Sequence, residues 1–255
     1  MQEIAEALAA RTNPELTPSW DPVGLQLGDP LADVTRVAVC HEVTEAVVAR
    51  LEHQPVDLLV TYHPLLFTPT TKVLAGRSAG ARTYRLIRTG VSLLVTHSDF
   101  DAAPGGTADA LARFFELRDV NAFGENPEID LPAIGRVGRF EGTLGTVDAM
   151  VIDEFGPTGV RITGDRDMVV DRLAVVPGSG SAFIESAAEQ GARALVTGDV
   201  SHHRTVAAVD LGLAIVDPGH TATERPGMRA LTTLIKDVSG LDVVDLTDID
   251  PRTWS

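Results

Sequence analysis

Four short apolar runs in this chain end in residues able to bind a metal ion or move a proton. Leu58–Thr61 leads into Tyr62 and His63, and Leu93–Thr96 leads into His97, Asp99 and Asp101. Ala194–Thr197 leads into Asp199, His202 and His203, and Ala214–Val216 leads into Asp217 and His220. Imidazole and carboxylate donors without sulfur suit Zn, Mn, Fe, Co or Ni rather than a soft-ligand metal. Two such ions about 3.5–4 Å apart would activate a bridging water and polarise a substrate oxygen. His220 and Glu224 are four residues apart, a spacing that puts both side chains on one face of a helical turn. Asp101 precedes Ala102-Ala103-Pro104-Gly105-Gly106, a turn opening a helix whose free N–H groups suit a phosphate or carboxylate. His63 stands directly before Pro64, which holds it extended at a strand tip.

Other residues carry less. His97 is expected to hold a ligand in place by a hydrogen bond rather than to bind metal itself, and Asp99 to be solvated or to play a supporting part. His202 and His203 are adjacent; in extended chain they would face opposite ways, so one at most lines a cleft. His97 and His202 are the candidates for proton transfer. His41 reads as structural. Gly178-Ser179-Gly180-Ser181 lies where phosphates are often cradled, but it lacks a P-loop lysine and is one glycine short of the dinucleotide fingerprint.

The elements that must position these groups follow from the apolar runs. Runs without alternation read as strands buried on both faces, as in a parallel sheet, and open α/β sheets bind ligands beyond the carboxyl ends of their strands. Six of the seven histidines lie near such an end; His53 falls at a helix terminus. The stretch Arg36–Thr61 aligns without a gap on Arg172–Thr197, each reading as strand, helix and strand. A further helix and strand follow each copy, Thr83–Thr96 and Thr205–Val216, and then another helix, Thr107–Phe115 and Gly227–Ile235. The expected fold is α/β: two similar α/β domains from an internal duplication, residues 1–125 and 126–255, with the metal site in the cleft between them. Residues 121–171 are expected to hold a linker and the strands that begin the second domain.

Composition narrows the class. At 255 residues, 44% hydrophobic and 22% charged, the chain can bury real cores. A net charge of −15 argues against a nucleic-acid partner, whose phosphates are gripped by Lys and Arg. Cys40 is the only cysteine, so neither an internal disulfide nor a thiolate zinc cluster is expected. The first sixteen residues read as a short amphipathic helix rather than a signal peptide, and no apolar stretch approaches a membrane span. The expected location is the cytoplasm.

Five ordered motifs give the chain a family likeness: Trp20-Asp21-Pro22-Val23-Gly24-Leu25-Gln26-Leu27-Gly28, Tyr62-His63-Pro64-Leu65-Leu66-Phe67, Thr96–Gly106, Thr197–His203 and Gly219–Gly227. With these the chain resembles the family of GTP cyclohydrolase 1 type 2 homologues, also called NGG-interacting-factor-like proteins. The resemblance implies two similar α/β domains with a two-metal centre in the cleft between them, and a ring-shaped homohexamer. It implies His63, Asp101, His220 and Glu224 as ligands, with Tyr62 standing where the family has another histidine. A phenol ligates only when a strong local cation drives off its proton. Either Tyr62 ligates, water fills the position, or one metal is weak or absent, so one or two metals are expected, with one tighter and one looser the favoured arrangement. The functional expectation is a metal-dependent hydrolase of a nucleotide such as GTP, or of a related small phosphorylated ligand. The alternative is a non-enzymatic metal-binding adaptor or regulator.

Overall fold

The structure is a computed structural model that describes residues 1–12, 14, 17–76, 78–126, 130 and 132–249. They fall into two compact units, Met1–Pro104 with Met228–Ser255, and Gly105–Gly227. The first unit contains α1 (Gln2–Thr12), β1 (Gly24–Leu27), β2 (Val37–Cys40), α2 (Glu45–His53), β3 (Leu58–Thr61), α3 (Ala79–Thr89), β4 (Ser92–Val95) and α4 (Ser98–Ala102). The second contains α5 (Thr107–Phe114), β5 (Arg118–Phe123), β6 (Gly135–Thr143), α6 (Leu144–Phe155), β7 (Arg161–Thr163), β8 (Val169–Ser179), α7 (Ile184–Glu189), β9 (Ala194–Gly198), α8 (His202–Asp210) and β10 (Ala214–Asp217). Helix α9 (His220–Ser239) begins in the second unit and belongs to the first from Met228 on, followed there by β11 (Val243–Asp245).

The sheet of the first unit runs β1-β4-β3-β2-β11, parallel except for β1, which lies antiparallel to β4. Every residue of β2, β3 and β4 is buried, because helices cover both faces. On one face Ala38, Cys40, Leu59 and Leu93 pack against Val47, Val48 and Leu51 of α2 and Leu86 of α3. On the other, Val37, Val39, Leu58, Val60 and Leu94 pack against Ile4 and Leu8 of α1 and Met228, Leu231 and Ile235 of α9. The alternation along each strand is the two-residue period of the pleat.

In the second unit the order is β5-β6-β8-β9-β10-β7, with β8, β9 and β10 parallel and the other pairings antiparallel. Leu173, Val175, Ala194, Val196 and Val216 meet Leu111 of α5 and Leu144, Val147 and Val151 of α6. Ala174, Val176, Leu195 and Ile215 meet Ile184 and Ala187 of α7 and Ala208 of α8.

The duplication appears in the pairing itself. Val37 stands opposite Leu58 in one sheet, and Leu173 opposite Ala194 in the other; these are the residues that the gapless alignment superposes. In both sheets a third parallel strand follows, β4 or β10, and an antiparallel edge strand closes that side, β1 or β7. The chain is thus two similar α/β domains. They differ on the far side of the core, where the first sheet adds parallel β11 and the second adds antiparallel β6 and β5.

Some local expectations need correction. The segment 121–171 holds a twelve-residue helix, α6, as well as strands; Thr143 starts it with a capping box closed by Thr146. Helix α9 starts at His220 rather than Gly227 and carries Pro226 within it. Proline lacks the N–H that a helix interior requires, so the sequence pattern alone places the helix start after it. At the N-terminus the helix spans Gln2–Thr12; positions 13, 15 and 16 lie outside the described residues. No helix among the described residues is long and apolar enough to cross a membrane.

Candidate functional site

Because β2, β3 and β4 run parallel and side by side, the residues after their carboxyl ends leave the sheet at one edge. His41 follows β2, Tyr62 and His63 follow β3, and His97 follows β4 by two positions. The ladder continues past the strands: Tyr62 N–H donates to Cys40 O at 3.1 Å and His63 N–H to His41 O at 2.9 Å. The His63 ring centroid lies 4.7 Å from that of His41 and 5.2 Å from that of His97. Ring nitrogens of His41 and His63 lie within 4.8 Å of each other, close enough to serve one ion.

Tyr62 sits at the centre of these rings. It is wholly buried (0% exposed), stacks on His41 with 19° between the planes, and meets His63 and His97 edge-on. Its phenol donates to Asp101 Oδ1 at 2.5 Å. Asp101 is presented by the single turn α4, its N–H bonded to His97 O at 3.0 Å. Asp99 supports that turn. It accepts from His97 N–H at 2.7 Å and from the Thr96 hydroxyl, and burial pushes its carboxyl up despite the bonds it accepts from Thr12, His97, Thr96 and Phe100. Asp99 is buried rather than solvated.

His97 is positioned by Asp21, in the loop before β1. Asp21 Oδ2 contacts His97 Nδ1 at 3.0 Å and accepts from Ser98 N–H at 3.1 Å and from the Ser98 hydroxyl. Burial alone would raise the Asp21 carboxyl. The hydrogen bond and charge of His97, with the two bonds from Ser98, outweigh it and hold the group below the usual carboxylate range. An ionised carboxylate only accepts, so the His97 proton stands on Nδ1. The sequence contains Asp21 in a motif but gives it no role; its partner lies 76 positions away. His41 was read as structural, although its place after a parallel strand is the signal that also marks His63.

The second unit carries its own cluster at the corresponding strand ends. Asp217 closes β10, Pro218-Gly219 turns the chain, and α9 opens with His220. His220 Nε2 lies 3.0 Å from Glu224 Oε1, one helical turn on, and Nδ1 lies 2.8 Å from Asp199 Oδ2, just past β9. Burial would lower the His220 pKa, but hydrogen bonds and charge from Glu224 and then Asp199 win and raise it to about 9. Two carboxylates around one imidazole demand a positive charge, and a proton or a metal ion can supply it. Glu224 is itself buried.

Backbone without side chains makes room for this pair. Gly178, at φ +65°, ends the buried part of β8; a methyl carbon there would stand 2.7 Å from Glu224 Oε1 and 3.3 Å from His220 Nε2. The same loop does not present open amides to a phosphate: Gly178 N–H donates to the Thr223 hydroxyl and Gly180 N–H to the Thr197 hydroxyl, both at 2.8 Å. His202 and His203 lie exposed on the first turn of α8, not in extended chain, and their rings pack on each other at 5.5 Å. Neither is drawn into the His220 cluster. The donors present fit a borderline metal: imidazoles and carboxylates in both units, with the Cys40 thiol buried on the α2 side of its sheet and pushed up to about 12, chiefly by burial.

Known proteins are similar to this chain over most of its length. A family model, Duf34/NIF3 (NGG1p interacting factor 3), matches residues 1–250. A GTP cyclohydrolase 1 type 2 homolog of Streptomyces coelicolor is 31% identical, with 99% of this chain and 93% of that protein covered. One from Clostridium perfringens is 28% identical over 89% of this chain and 88% of that protein. Among solved structures, the hypothetical protein SA1388 of Staphylococcus aureus matches in fold with a TM-score of 0.87 at 22% identity, covering 98% of this chain and 97% of that one. Reduced HcgD from Methanocaldococcus jannaschii gives a TM-score of 0.82 at 26% identity, with 96% of each chain covered. The chain belongs to the Duf34/NIF3 family.

Proposed function

We propose that this protein binds divalent transition-metal ions, with His63, Asp101, His220 and Glu224 as ligands, and hydrolyses a nucleotide such as GTP. The observation that carries the reading is the pair His220 and Glu224, 3.0 Å apart on one helical turn over a backbone position where no Cβ fits. It is supported by His41, His63 and Asp101 gathered around Tyr62 at the ends of β2 to β4, and by the name that relatives carry. His41 and His63, with ring nitrogens within 4.8 Å of each other, would give one ion two donors. Zn, Mn, Fe, Co and Ni all suit such donors.

A bound ion would supply Lewis acidity and a water of lowered pKa. The chain's own residues would do the rest. His97, with its proton fixed on Nδ1 by Asp21, would present Nε2 as the base that takes a proton. His202, exposed on α8, would meet substrate only from the solvent side. A homohexamer and a cytoplasmic location complete the proposal.

The competing reading is a metal-binding adaptor without turnover. The bond between Tyr62 and Asp101 favours it, since it occupies a carboxylate that two-metal hydrolysis would need. Protein purified without chelator and supplied with Zn or Mn decides between them. Release of product from GTP by wild type, lost in Asp101→Ala, supports the hydrolase. Metal uptake with no turnover of GTP or of simple phosphoesters supports the adaptor. No metal uptake defeats both.

A further inference from the structure

We propose that four arginines in one row of the second sheet, Arg118, Arg139, Arg172 and Arg193, form a binding site for an oligophosphate chain. The site is separate from the metal-binding reading above and does not depend on it. Arg118 of β5 stands opposite Arg139 of β6, and Arg139 opposite Arg172 of β8. Arg193 extends the row: it directly precedes Ala194, which pairs with Leu173, and its N–H donates to Arg172 O at 2.8 Å. Residues opposite one another in a sheet share a face, and neighbouring strands are about 4.8 Å apart, so the row spans about 14 Å. Its face is that of α7 and α8, against which Ala174 and Leu195 pack two positions further along β8 and β9. The row crosses the sheet near the start of β8; Gly178, the neighbour of His220 and Glu224, lies roughly 20 Å further along that strand.

Like charges directly opposite each other destabilise a sheet, and here arginine follows arginine across four strands of a chain whose net charge is −15. Acidic neighbours answer only part of the row. Arg118 meets Glu141 at 3.1 Å and Arg139 meets Asp119 at 3.6 Å, with all four side chains roughly two-thirds exposed, where solvent weakens such pairs. Among the described residues Arg172 and Arg193 have no ion-pair partner, and Arg172 Nε is buried without a hydrogen-bond partner. A bound anion would supply both the missing charge and the missing acceptor, and the guanidinium fork matches phosphate oxygens bidentately. An extended acidic peptide would offer same-side carboxylates only about every 7 Å, too sparse for this row. Single-stranded nucleic acid needs aromatic platforms for its bases, and the exposed large apolar side chains of this unit, Val120, Val169, Val206, Val209 and Leu211, are all aliphatic. A chain of phosphoryl groups meets the row with dense charge and needs no such platform.

Isothermal titration of inorganic tripolyphosphate and of orthophosphate into the full chain at low ionic strength, with size-exclusion chromatography alongside, tests the site. Tripolyphosphate should bind wild type, and orthophosphate should bind roughly tenfold more weakly or worse, because it engages one part of the row at a time. Arg172→Gln and Arg193→Gln should each weaken tripolyphosphate roughly fivefold or more. Chelation of any bound metal is common to wild type and variants and cancels in that comparison. Without ligand, Arg193→Gln should melt at or above the wild-type temperature at low salt, as repulsion is relieved, and the gain should fade as salt is added. Displacement of tripolyphosphate by ATP would assign the tail of a nucleotide as the source of the chain, and resistance to ATP a free chain; both support the proposal. No binding of tripolyphosphate, unchanged binding in both variants, or orthophosphate as tight as tripolyphosphate overturns it. So does a change of oligomeric state in the variants with tripolyphosphate binding unchanged, which would make the row a contact between copies of this chain. Should Arg172→Gln fail to fold, the exposed Arg193→Gln and Arg139→Gln carry the test.

Discussion

Replacing Gly178 by alanine should weaken metal binding far more than it weakens the fold. Two effects act at this position. The backbone sits at φ +65°, and a left-handed conformation costs a residue with a Cβ about 1–2 kcal/mol. The added methyl would also stand 2.7 Å from Glu224 Oε1, so the carboxylate must retreat by roughly half an ångström or more to reach ordinary contact. Metal–ligand distances tolerate only about 0.2 Å. The displacement should cost roughly 10–100-fold in affinity, the range seen when the support of a ligand is removed. Isothermal titration of Zn or Mn into the metal-free protein measures the affinity, and thermal melting measures the fold. Gly159→Ala is the control: Gly159 has φ +83°, but a methyl there would meet no atom within 4 Å. Both variants should melt lower, by roughly 2–4 °C per kcal/mol, and only Gly178→Ala should lose affinity. Equal affinity in wild type and Gly178→Ala, or an equal loss in Gly159→Ala, would refute the placement of Glu224 and His220 as ligands.

Asp21→Asn should destabilise the protein by about 1–3 kcal/mol, since a buried acceptor of bonds from His97 and Ser98 is altered; nitrogen NMR should show the His97 proton leaving Nδ1, and an unchanged tautomer would contradict the positioning role. Metal uptake near pH 7 should displace close to one proton from His220, whose pKa of about 9 keeps it protonated there; titration heats in buffers of different ionisation enthalpy report the number. Affinity should therefore tighten as pH rises toward 9, and a pH-independent affinity would argue against His220 as a ligand. Cys40 should resist thiol reagents until the protein unfolds, being 0% exposed. Because the unfolded thiol ionises near ~8.5 while the folded one is held to about 12, stability should fall as pH rises between those values, and Cys40→Ala should remove that part of the loss.

The parts of the fold legible in the sequence were those with a local signature. Unbroken apolar runs marked β3, β4, β9 and β10, and a gapless repeat matched pairs that do stand opposite each other in the two sheets. His220 and Glu224 were readable as a pair because helical spacing brings them together without help from the rest of the chain. Asp21 was not, since its contact with His97 depends on where a loop 76 positions away is laid down. Likewise β11 joins the first sheet beside β2, a pairing that no local pattern announces. Helix α6 carries Val147, Val151 and Ile152 among glycine and threonine, a mixture that suits strands as well. His41 was passed over for a different reason: a lone histidine after a strand is usually a hydrogen-bonding residue, and only its buried place against Tyr62 and His63 sets it apart.

An anomalous difference map recorded at a metal absorption edge, on crystals of protein purified without chelator, tests the central claim most directly. A peak about 2.0–2.2 Å from a nitrogen of His220 and an oxygen of Glu224 is the expected result. No peak at that pair in protein that binds metal would contradict it.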